Sequence, residues 1–475
     1  MRKFWGHIFL ILLIVNSLNA DVLKVGKNYE FKSIKEALQF AKPHDTIYVY
    51  GGEYYGNIFL EKPVVLIGVG RPWVKGENWG STVTVLADSC VVNGFKITGG
   101  GNLLQKEDSG ILLKSSFNVI ENNLLEDVLF GIYFFAANNN VVRHNTVIGR
   151  PYLGIGERGS GLHIWNSRNN LVEENFITKV RDGMYIQESA NNLIRKNYAT
   201  DLRYGIHYMF SDSNSFEENV FIDNVVGGAV MYSRHIYFRR NIFARNRGFS
   251  SYGLLLQSCD YCVAEENYIL DNSIGLHFEG TNYNIVRRNL VQNNDLAIAL
   301  FASANYDKIY ENNFIGNLAL IRTIGNPKTV SFSYQGRGNY WDGFLGYDLD
   351  DDGVSDVKFK LTNVFEDIQG KYPVIQLYLS SPSARAIEIA ERTMPIVKSF
   401  KIYDEHPLMR KVEIPNLSYL VKRGEAEKIE SKRIAFMGTG FVFLCASVPN
   451  SKIGSTDNCV MPDDIIICSK KVNAK

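Results

Sequence analysis

A repeat of about 22 residues runs from residue 110 to residue 312, and it limits the possible fold more than any other feature of this chain. Asparagines and glycines mark the unit in register. The asparagines are Asn123, Asn145, Asn175, Asn197, Asn219, Asn241, Asn267, Asn289 and Asn312, and the glycines are Gly110, Gly131, Gly161, Gly183, Gly205, Gly227, Gly253 and Gly275. Each unit has short apolar stretches between polar corners and no room for a helix. Such units bury apolar side chains only by stacking, so the repeat predicts an all-β fold, a right-handed parallel β-helix.

The position of the repeat divides the chain into five parts. These are a signal peptide at 1–20, an N-terminal cap with the first coils at 21–109, the β-helix with an Asp-rich loop (348–356) at 110–380, a C-terminal helical docking segment at 381–410 and a tail at 411–475. Phe31 to Lys42 has helical spacing and Ser33 as a candidate N-cap, so we expect a short helix that covers the open end of the solenoid. A second helix is expected from Ser383 to Lys398. Insertions near Pro151–Gly159 and Arg247–Tyr252 are expected to form loops on one side.

The first twenty residues are typical of an export signal. Arg2 and Lys3 precede an apolar run from Phe4 to Val15, and Leu18-Asn19-Ala20 stands before Asp21. The alternative, a membrane anchor, is disfavoured because the run is too short to span a bilayer. We therefore predict cleavage near Ala20. The net charge of +1 argues against nucleic acid as a partner.

Strand side chains alternate between two faces, so each unit can be divided into inward and outward positions. The first and third residues after each marker glycine are apolar and are predicted to point inward. The second residues should point outward (Leu112, Tyr133, His163, Tyr185, His207, Ala229, Leu255, His277 and Ala299), and so should the fourth (Lys114, Phe135, Trp165, Gln187, Met209, Met231, Gln257, Glu279 and Phe301). This outward face is rich in aromatics, histidine and methionine. Either a loop or the C-terminal segment packs over it, or it is a contact surface that carries ligands.

The strand before each repeat asparagine ends in charged residues whose sign changes from unit to unit. The pairs are Arg143-His144, Glu173-Glu174, Arg195-Lys196, Glu217-Glu218, Arg239-Arg240, Glu265-Glu266 and Arg287-Arg288. Stacked strands lie about 4.8 Å apart, so a surface ladder of ion pairs that helps to set the register is predicted.

His207, Met209 and Met231 form the first candidate metal site. His207 and Met209 lie two residues apart on one strand, hence about 6.6 Å apart on the same face, and Met231 stacks on Met209 one unit later. Thioether ligands select Cu(I) over hard cations, so we predict a cuprous site. His163 lies two units earlier, with Tyr185 between, and could pass an ion along the face. The alternative is that the methionines are plain packing.

Two further clusters carry metal-ligand chemistry. His406 and Met409, in the segment DEHPLMR, form a weaker soft pair for copper. Carboxylates in the segment DLDDDGVSD (Asp348, Asp350, Asp352 and Asp356) have the alternating spacing of a calcium loop, with Gly353 for the tight turn. Position twelve of that loop is Phe359 rather than Glu, which excludes a complete EF-hand. A structural calcium ion is predicted there, against a simple acidic turn.

Cys259 and Cys262 form a C-x-x-C pair inside the repeat. By register they replace a serine or threonine and a corner asparagine, so packing is the first interpretation. A disulfide or a soft-metal site is the alternative.

Enzymatic functions need groups that this face does not supply together. A polysaccharide hydrolase requires converging carboxylates, and the sequence offers Glu279 with Glu188. A lyase requires a basic residue beside a calcium site, and Lys114 is far from the acidic loop. We therefore predict a protein that is not an enzyme.

Several segments together resemble the NosD family, the periplasmic β-helix proteins of nitrous oxide reductase maturation. They are RDGMYIQES, RYGIHYMFSDSNSFEEN, MYSRHI, GNYWDGFLGYDLDDDGVSD and DEHPLM, and the likeness covers Asp21 to Arg410. The resemblance implies a periplasmic, non-catalytic partner of an ABC transporter made of an ATPase and a membrane subunit. It also implies a role in assembling the copper–sulfur centre of nitrous oxide reductase, with copper received from a lipoprotein chaperone. The C-terminal helical segment would then contact the membrane subunit.

Two classes of function remain open. The first is a copper-handling assembly factor that works with a transporter. The second is an exported β-helix that binds or modifies carbohydrate, like a lyase or an epimerase.

Overall fold

The computed structural model describes residues 20–361, 381–383, 386 and 402–426. The signal peptide at 1–19, most of the predicted helix at Ser383 to Lys398 and the tail after 426 lie outside the described residues. The described chain is a parallel β-solenoid with three long parallel sheets, and each complete turn contributes one strand to each sheet. The prediction of a parallel β-helix is confirmed.

The strands of each sheet stack in chain order. Sheet 1 contains Val22–Val25, Thr46–Tyr50, Val65–Val69, Val91–Asn93, Val119–Glu121, Val141–Arg143, Leu171–Glu173, Leu193–Arg195, Ser215–Glu217, Tyr237–Arg239, Val263–Glu265, Ile285–Arg287 and Lys308–Tyr310. Sheet 2 contains Glu53–Tyr55, Trp73–Lys75, Lys96–Thr98, Leu124–Glu126, Thr146–Ile148, Phe176–Thr178, Tyr198–Thr200, Val220–Ile222, Ile242–Ala244, Tyr268–Leu270, Leu290–Gln292, Asn313–Ile315 and Tyr340–Trp341. Sheet 3 contains Ile58–Leu60, Val83–Val85, Ser109–Leu113, Phe130–Phe135, Ser160–Trp165, Asp182–Gln187, Tyr204–Met209, Val226–Arg234, Tyr252–Asp260, Ile274–Glu279, Leu296–Phe301 and Ala319–Ile324.

A ladder of buried asparagines joins the turns at the corner between sheets 1 and 2. Asn219 is typical: its Oδ1 accepts from the backbone N and the Nδ2 of Asn197, both at 3.0 Å, and its Nδ2 donates to Asn241 Oδ1 at 2.9 Å. The same Nδ2 also satisfies the carbonyl of Ile194 at 2.8 Å. The marker asparagines therefore satisfy the hydrogen-bonding groups buried at this corner and hold the turns in register.

The residues predicted to point inward form the core. Ile111, Leu162, Met184, Ile206 and Phe278 are examples, and each is essentially inaccessible to solvent. A single hydrophobic cluster runs through the solenoid from Leu23 to Trp341 and beyond.

A short helix, Ile34–Phe40, covers the N-terminal end, as predicted. The Ser33 side chain accepts from the backbone N of Glu36, and the buried Ile34 and Ala37 face the first coil. Two single-turn 3₁₀ helices, Leu104–Lys106 and Ile155–Glu157, lie in loops at the corner between sheets 2 and 3. Both predicted insertions leave the solenoid at this corner.

The end of the solenoid is covered by residues 402–410, which are extended rather than helical. Tyr403–Asp404 pairs antiparallel with Phe359–Lys360. Buried Asp404 ends the asparagine ladder, since its Oδ2 accepts from the backbone N of Asn339 at 2.7 Å and from Trp341 Nε1 at 2.8 Å. Most of the docking segment predicted at 381–410 lies outside the described residues, and its docking role stays a prediction. Helical conformation is found at 382, 383 and 386, but not at 402–410.

Residues 411–426 run back along the outer face of sheet 2 as a strap. Asn313 exchanges two hydrogen bonds of 2.8 Å with the backbone of Val412, and the strap ends in helical residues 418–426. Leu417, Leu420 and Val421 close a second apolar cluster with side chains of sheet 2. Among the described residues, no helix has the length and apolarity needed to cross a membrane.

The predicted ladder of opposite charges is present on the surface of sheet 1. Arg143 pairs with Glu121 at 2.7 Å, Arg195 with Glu173 at 2.7 Å. Arg287 pairs with Glu265 at 2.8 Å. Partly exposed pairs of this kind contribute only about 0–1 kcal/mol each, so they favour the register more than they stabilise the fold.

Candidate metal centre

The outer face of sheet 3 carries a column of alternating tyrosine and histidine over four consecutive turns. Tyr133, His163, Tyr185 and His207 are register partners. Neighbouring ring centroids lie 4.4, 4.7 and 4.9 Å apart. The pairing is in register from turn to turn, so the column predicted from the sequence forms a continuous row of rings.

His207, Met209 and Met231 lie on two adjacent turns at the C-terminal end of this column. Met209 and Met231 are direct register partners, and His207 pairs with Ala229 on the same turn as Met231. All three candidate ligands are partly exposed, which places them on the outer face rather than in the core. Register therefore places these three residues at adjacent positions of the outer face, and a metal site formed by them stays a prediction.

The methionine pair is bordered by neutral side chains. Gln187 precedes Met209 in the same column and Gln257 follows Met231. Gln187 itself accepts from the hydroxyl of Tyr185 at 2.6 Å. The immediate neighbours of the thioethers are therefore amides, not carboxylates, a setting that favours a soft monovalent cation over a hard divalent one.

Asp182 is the important residue that the sequence analysis missed. It is fully buried, and its carboxylate accepts two hydrogen bonds from Arg203, at 2.9 and 2.7 Å. The Oδ2 atom also lies 3.2 Å from Nδ1 of His207. Burial by itself would raise the pKa of Asp182, but the hydrogen bonds from His207 and Arg203 hold it below its ordinary value. Asp182 is thus a fixed negative charge directly behind the imidazole.

A break in strand alternation explains why Asp182 was missed. Strict alternation would place it inside the coil with Met184. A Cβ added at Gly183 would approach the side chains of Leu202 and Ala199, so the glycine position also faces the core. Two successive inward positions shift the alternation by one residue, and Asp182 turns to the outer face beside His207.

A cleft of about 480 Å³ opens beside the column. It is lined by Leu104, Glu107, Phe130, Tyr133, Phe135, His163, Trp165, Arg181, Tyr185, Gln187, Arg203 and His207. Buried Arg150 ties the loop before Ser109 to the insertion near Pro151–Gly159, because its guanidinium donates to Asn102 Oδ1 at 2.5 Å. The first of these loops forms one wall of the cleft. The interpretation that a loop packs over this face is therefore partly correct, whereas the C-terminal strap covers sheet 2 instead.

His163 lies deeper than His207. Only 6% of its surface is exposed, and its Nδ1 has no hydrogen-bond partner. Burial, aided by the charge of Arg181, lowers the pKa of His163 to about 4. The ring is therefore neutral near pH 7 and keeps a free nitrogen lone pair, the form that binds metals.

His406 and Met409 lie in a different part of the molecule. His406 is exposed, and its carbonyl accepts from the backbone N of Gly338 at 2.7 Å, at the far end of the solenoid. Met409 donates its backbone N to the carbonyl of Gly353 at 3.0 Å. Five strands of sheet 3 follow that of His207, so about 24 Å of stacked turns separates this pair from the first site. A copper role for it stays a prediction.

The Asp-rich loop brings three of its four predicted ligands together. One carboxylate oxygen from each of Asp348, Asp350 and Asp352 lies within 4.8 Å of the others. Asp356 is outside this group, and its carboxylate accepts from the backbone N of Leu349 at 2.8 Å. The nearby charge of Asp352 raises the pKa of Asp350. The calcium site also stays a prediction, now with three candidate carboxylates.

Cys259 and Cys262 are buried free thiols in the core. The pKa of Cys259 is raised, first by its hydrogen bond with Cys262 and then by burial. The packing interpretation is thereby supported over a disulfide.

The two carboxylates considered for hydrolysis cannot act as a pair. The residue before Glu188, Gln187, lies four turns from Glu279 in the register of sheet 3. Four turns correspond to about 19 Å. Paired glycosidase carboxylates lie about 5–10 Å apart.

Comparison with known proteins identifies the family of this chain. Residues 149–346 match the family described as "Periplasmic copper-binding protein (NosD)". A "Probable ABC transporter binding protein NosD" of Pseudomonas aeruginosa is 37% identical over 375 residues, which cover 76% of this chain and 87% of that protein. The chain belongs to the NosD family. The NosD protein of Stutzerimonas stutzeri, with the same description, is 33% identical over 79% of this chain and 88% of its own length.

Solved structures support the fold of this NosD family member and nothing further. The catalytic domain of a GH87 α-1,3-glucanase in complex with nigerose superposes with a TM-score of 0.53 over 69% of this chain and 70% of that chain. Sequence identity between the two is 12%, so the likeness reflects the shared β-helix. Residues 74–177 also match a right-handed β-helix region.

Proposed function

We propose that this NosD family protein is a periplasmic accessory factor that binds cuprous copper at His207, Met209 and Met231. It would deliver the ion, together with an ABC transporter, to the copper–sulfur centre of nitrous oxide reductase during assembly. The observation that supports the proposal is the register of sheet 3, in which Met209 pairs with Met231 and His207 pairs with Ala229 on the outer face. The descriptions of the family and of its two relatives supply the biological setting.

The donor set fits a cargo ion better than a permanent cofactor. One nitrogen and two thioether sulfurs suit Cu(I), and the neutral glutamines beside them add no charge that would hold a divalent ion. Flexible methionine arms on a partly exposed face can take up and give back an ion without opening the fold. Copper is therefore best regarded as the substrate of this protein.

The histidine column offers a path for the ion along the face. Neutral His163 lies two turns from His207, with the ring of Tyr185 between them. An ion received at either histidine could move about 10 Å along the cleft without leaving the protein. A copper chaperone lipoprotein would act as donor, and the ATPase and membrane subunit of the transporter as the energised partners.

A structural calcium ion at Asp348, Asp350 and Asp352 is a secondary part of the proposal. The loop lies beside the segment that covers the end of the solenoid, since Val354 forms a backbone bridge with Leu408. An ion there would hold the loop against that end. Calcium-dependent protection of 348–356 from protease would support it.

Competitive titration with a chromophoric Cu(I) chelator tests the copper site. The variants are Met209→Leu and Met231→Leu, which keep side-chain volume and remove sulfur, and the matched control is Met409→Leu. We expect wild type to bind one Cu(I) tightly, each site variant to bind at least tenfold more weakly, and the control to match wild type. Equal affinity in all four proteins would refute the assignment, and a loss in Met409→Leu alone would move the site to the end of the solenoid.

A further inference from the structure

We propose that Asp182 is the positioning residue of the copper site. It holds the His207 ring with the proton on Nδ1 and thereby presents Nε2 as the copper ligand. This inference rests on the proposed function, because it names how the imidazole of that same site is prepared for the ion. Asp182 lies in the segment RDGMYIQES, but the sequence analysis assigned it no role.

The contact between the two side chains defines the roles of the ring nitrogens. The Asp182 carboxylate can only accept, so the 3.2 Å contact from His207 Nδ1 to Oδ2 requires a proton on Nδ1. In the neutral ring the lone pair then resides on Nε2, which points away from Asp182. Metal-binding histidines commonly have a carboxylate on the second nitrogen, which orients the ring and raises its basicity.

Asp182 is itself held in place from several directions. Arg203 binds both carboxylate oxygens, and Arg181 lies 3.3 Å from Oδ2. The Arg203 guanidinium is packed over the ring of Tyr204, 4.5 Å from its centroid. Since the carboxylate is fully buried and doubly bound, it cannot rotate away from His207.

The ring of His207 is also confined by its neighbours. The Tyr185 and Tyr204 ring centroids lie 4.9 and 5.0 Å from that of the imidazole. A ring turned by 180° would lose the hydrogen bond from Nδ1 to Asp182. One orientation is therefore preferred.

His163 lacks this arrangement, although it belongs to the same column. Its Nδ1 has no partner, and its nearest carboxylate, Glu107, lies 4.0 Å from Nε2. The two histidines are therefore not equivalent. The pair of His207 and Asp182 is prepared to hold an ion, whereas His163 is suited to transient contact.

The first test determines the tautomer of His207 in the absence of metal. In metal-free full-length protein with ¹⁵N-labelled histidine, the His207 resonance (assigned with His207→Gln) should show the Nδ1–H form. In Asp182→Asn this population should fall and Nε2–H should appear. The matched control is Asp223→Asn, which breaks an equally close pair of hydrogen bonds, from Arg245 at 2.7 and 2.8 Å, without touching a histidine. It should leave the His207 resonance unchanged. An unchanged tautomer in Asp182→Asn would overturn the inference.

The second test measures Cu(I) affinity of the same proteins. Loss of a carboxylate behind a metal-binding histidine weakens metal binding about 10–100-fold. Asp182→Asn should therefore bind Cu(I) about 10–100-fold more weakly than wild type, and Asp223→Asn should bind it as tightly as wild type. Equal affinities would reject the positioning role. If wild type binds no copper, the proposed function fails, while the tautomer experiment still decides whether Asp182 sets the ring. Should Asp182→Asn fail to fold because Arg203 is left unpaired, the double variant Asp182→Asn/Arg203→Gln removes both charges and is measured instead.

Discussion

Asp307→Asn should stabilise the solenoid at neutral pH. Asp307 occupies the position that Asn192, Asn214 and Asn284 hold in other turns, at the corner between sheets 3 and 1. Its Oδ1 accepts from the backbone N and the Nδ2 of Asn284 at 2.8 and 2.9 Å, and its Oδ2 accepts from Thr281 at 2.6 Å. Asparagine can keep the Oδ1 contacts, because asparagine does so at the equivalent corners.

The magnitude follows from the pKa of the carboxyl group. Burial raises the pKa of Asp307 from 3.8 to about 6, although hydrogen bonds from Thr281 and Asn284 oppose the rise. A raised pKa means that the folded state favours the neutral carboxylic acid. The cost of ionising it is absent below pH 3.8, grows between pH 3.8 and 6, and is complete above pH 6. A rise in the pKa from 3.8 to about 6 corresponds to about 3 kcal/mol of unfolding free energy.

Urea unfolding from pH 4 to pH 7.5 checks this expectation. Wild type and Asp307→Asn should differ little at pH 4, and the variant should gain about 3 kcal/mol by pH 7. Asp212→Asn, an exposed corner carboxylate, serves as the control and should show no such gain. A difference between Asp307→Asn and wild type that is constant across the pH range would refute the reasoning.

Three other substitutions test the fold. Asn219→Ala should cost at least about 2 kcal/mol in urea unfolding, because it removes the side-chain partners of the buried backbone N of Asn197 and of the carbonyl of Ile194; a cost below about 1 kcal/mol would contradict the ladder. Gly205→Ala should lower the thermal midpoint strongly, since the new methyl would overlap the carbonyl of Gly227; an unchanged midpoint would count against this packing. Gly424→Ala should release the strap, because its methyl would overlap the Tyr198 ring. Faster hydrogen exchange confined to 411–426 is expected, and wild-type protection there would show that the strap tolerates the methyl.

The sequence alone predicted the path of the chain and most of the outer face of sheet 3. A repeat whose asparagine and glycine markers stay in register is compatible only with stacked turns. The alternation of strand side chains then predicts which residues form the core. The same register placed His207, Met209 and Met231 together, because side chains in stacked parallel strands align from turn to turn. These conclusions depend on local spacing, which a sequence displays directly.

The tertiary structure decided what lies around that face. Asp182 reaches His207 only because alternation shifts by one residue at Gly183, a change of backbone direction that no residue spacing reveals. The segment DEHPLM is joined to the end of the ladder by Asp404, across 65 residues of sequence from Asn339, so its place depends on a buried hydrogen bond rather than on any pattern. The strap packs on sheet 2 because its apolar side chains bury the apolar side chains exposed on that sheet. The histidine face of sheet 3 is therefore not covered by the strap.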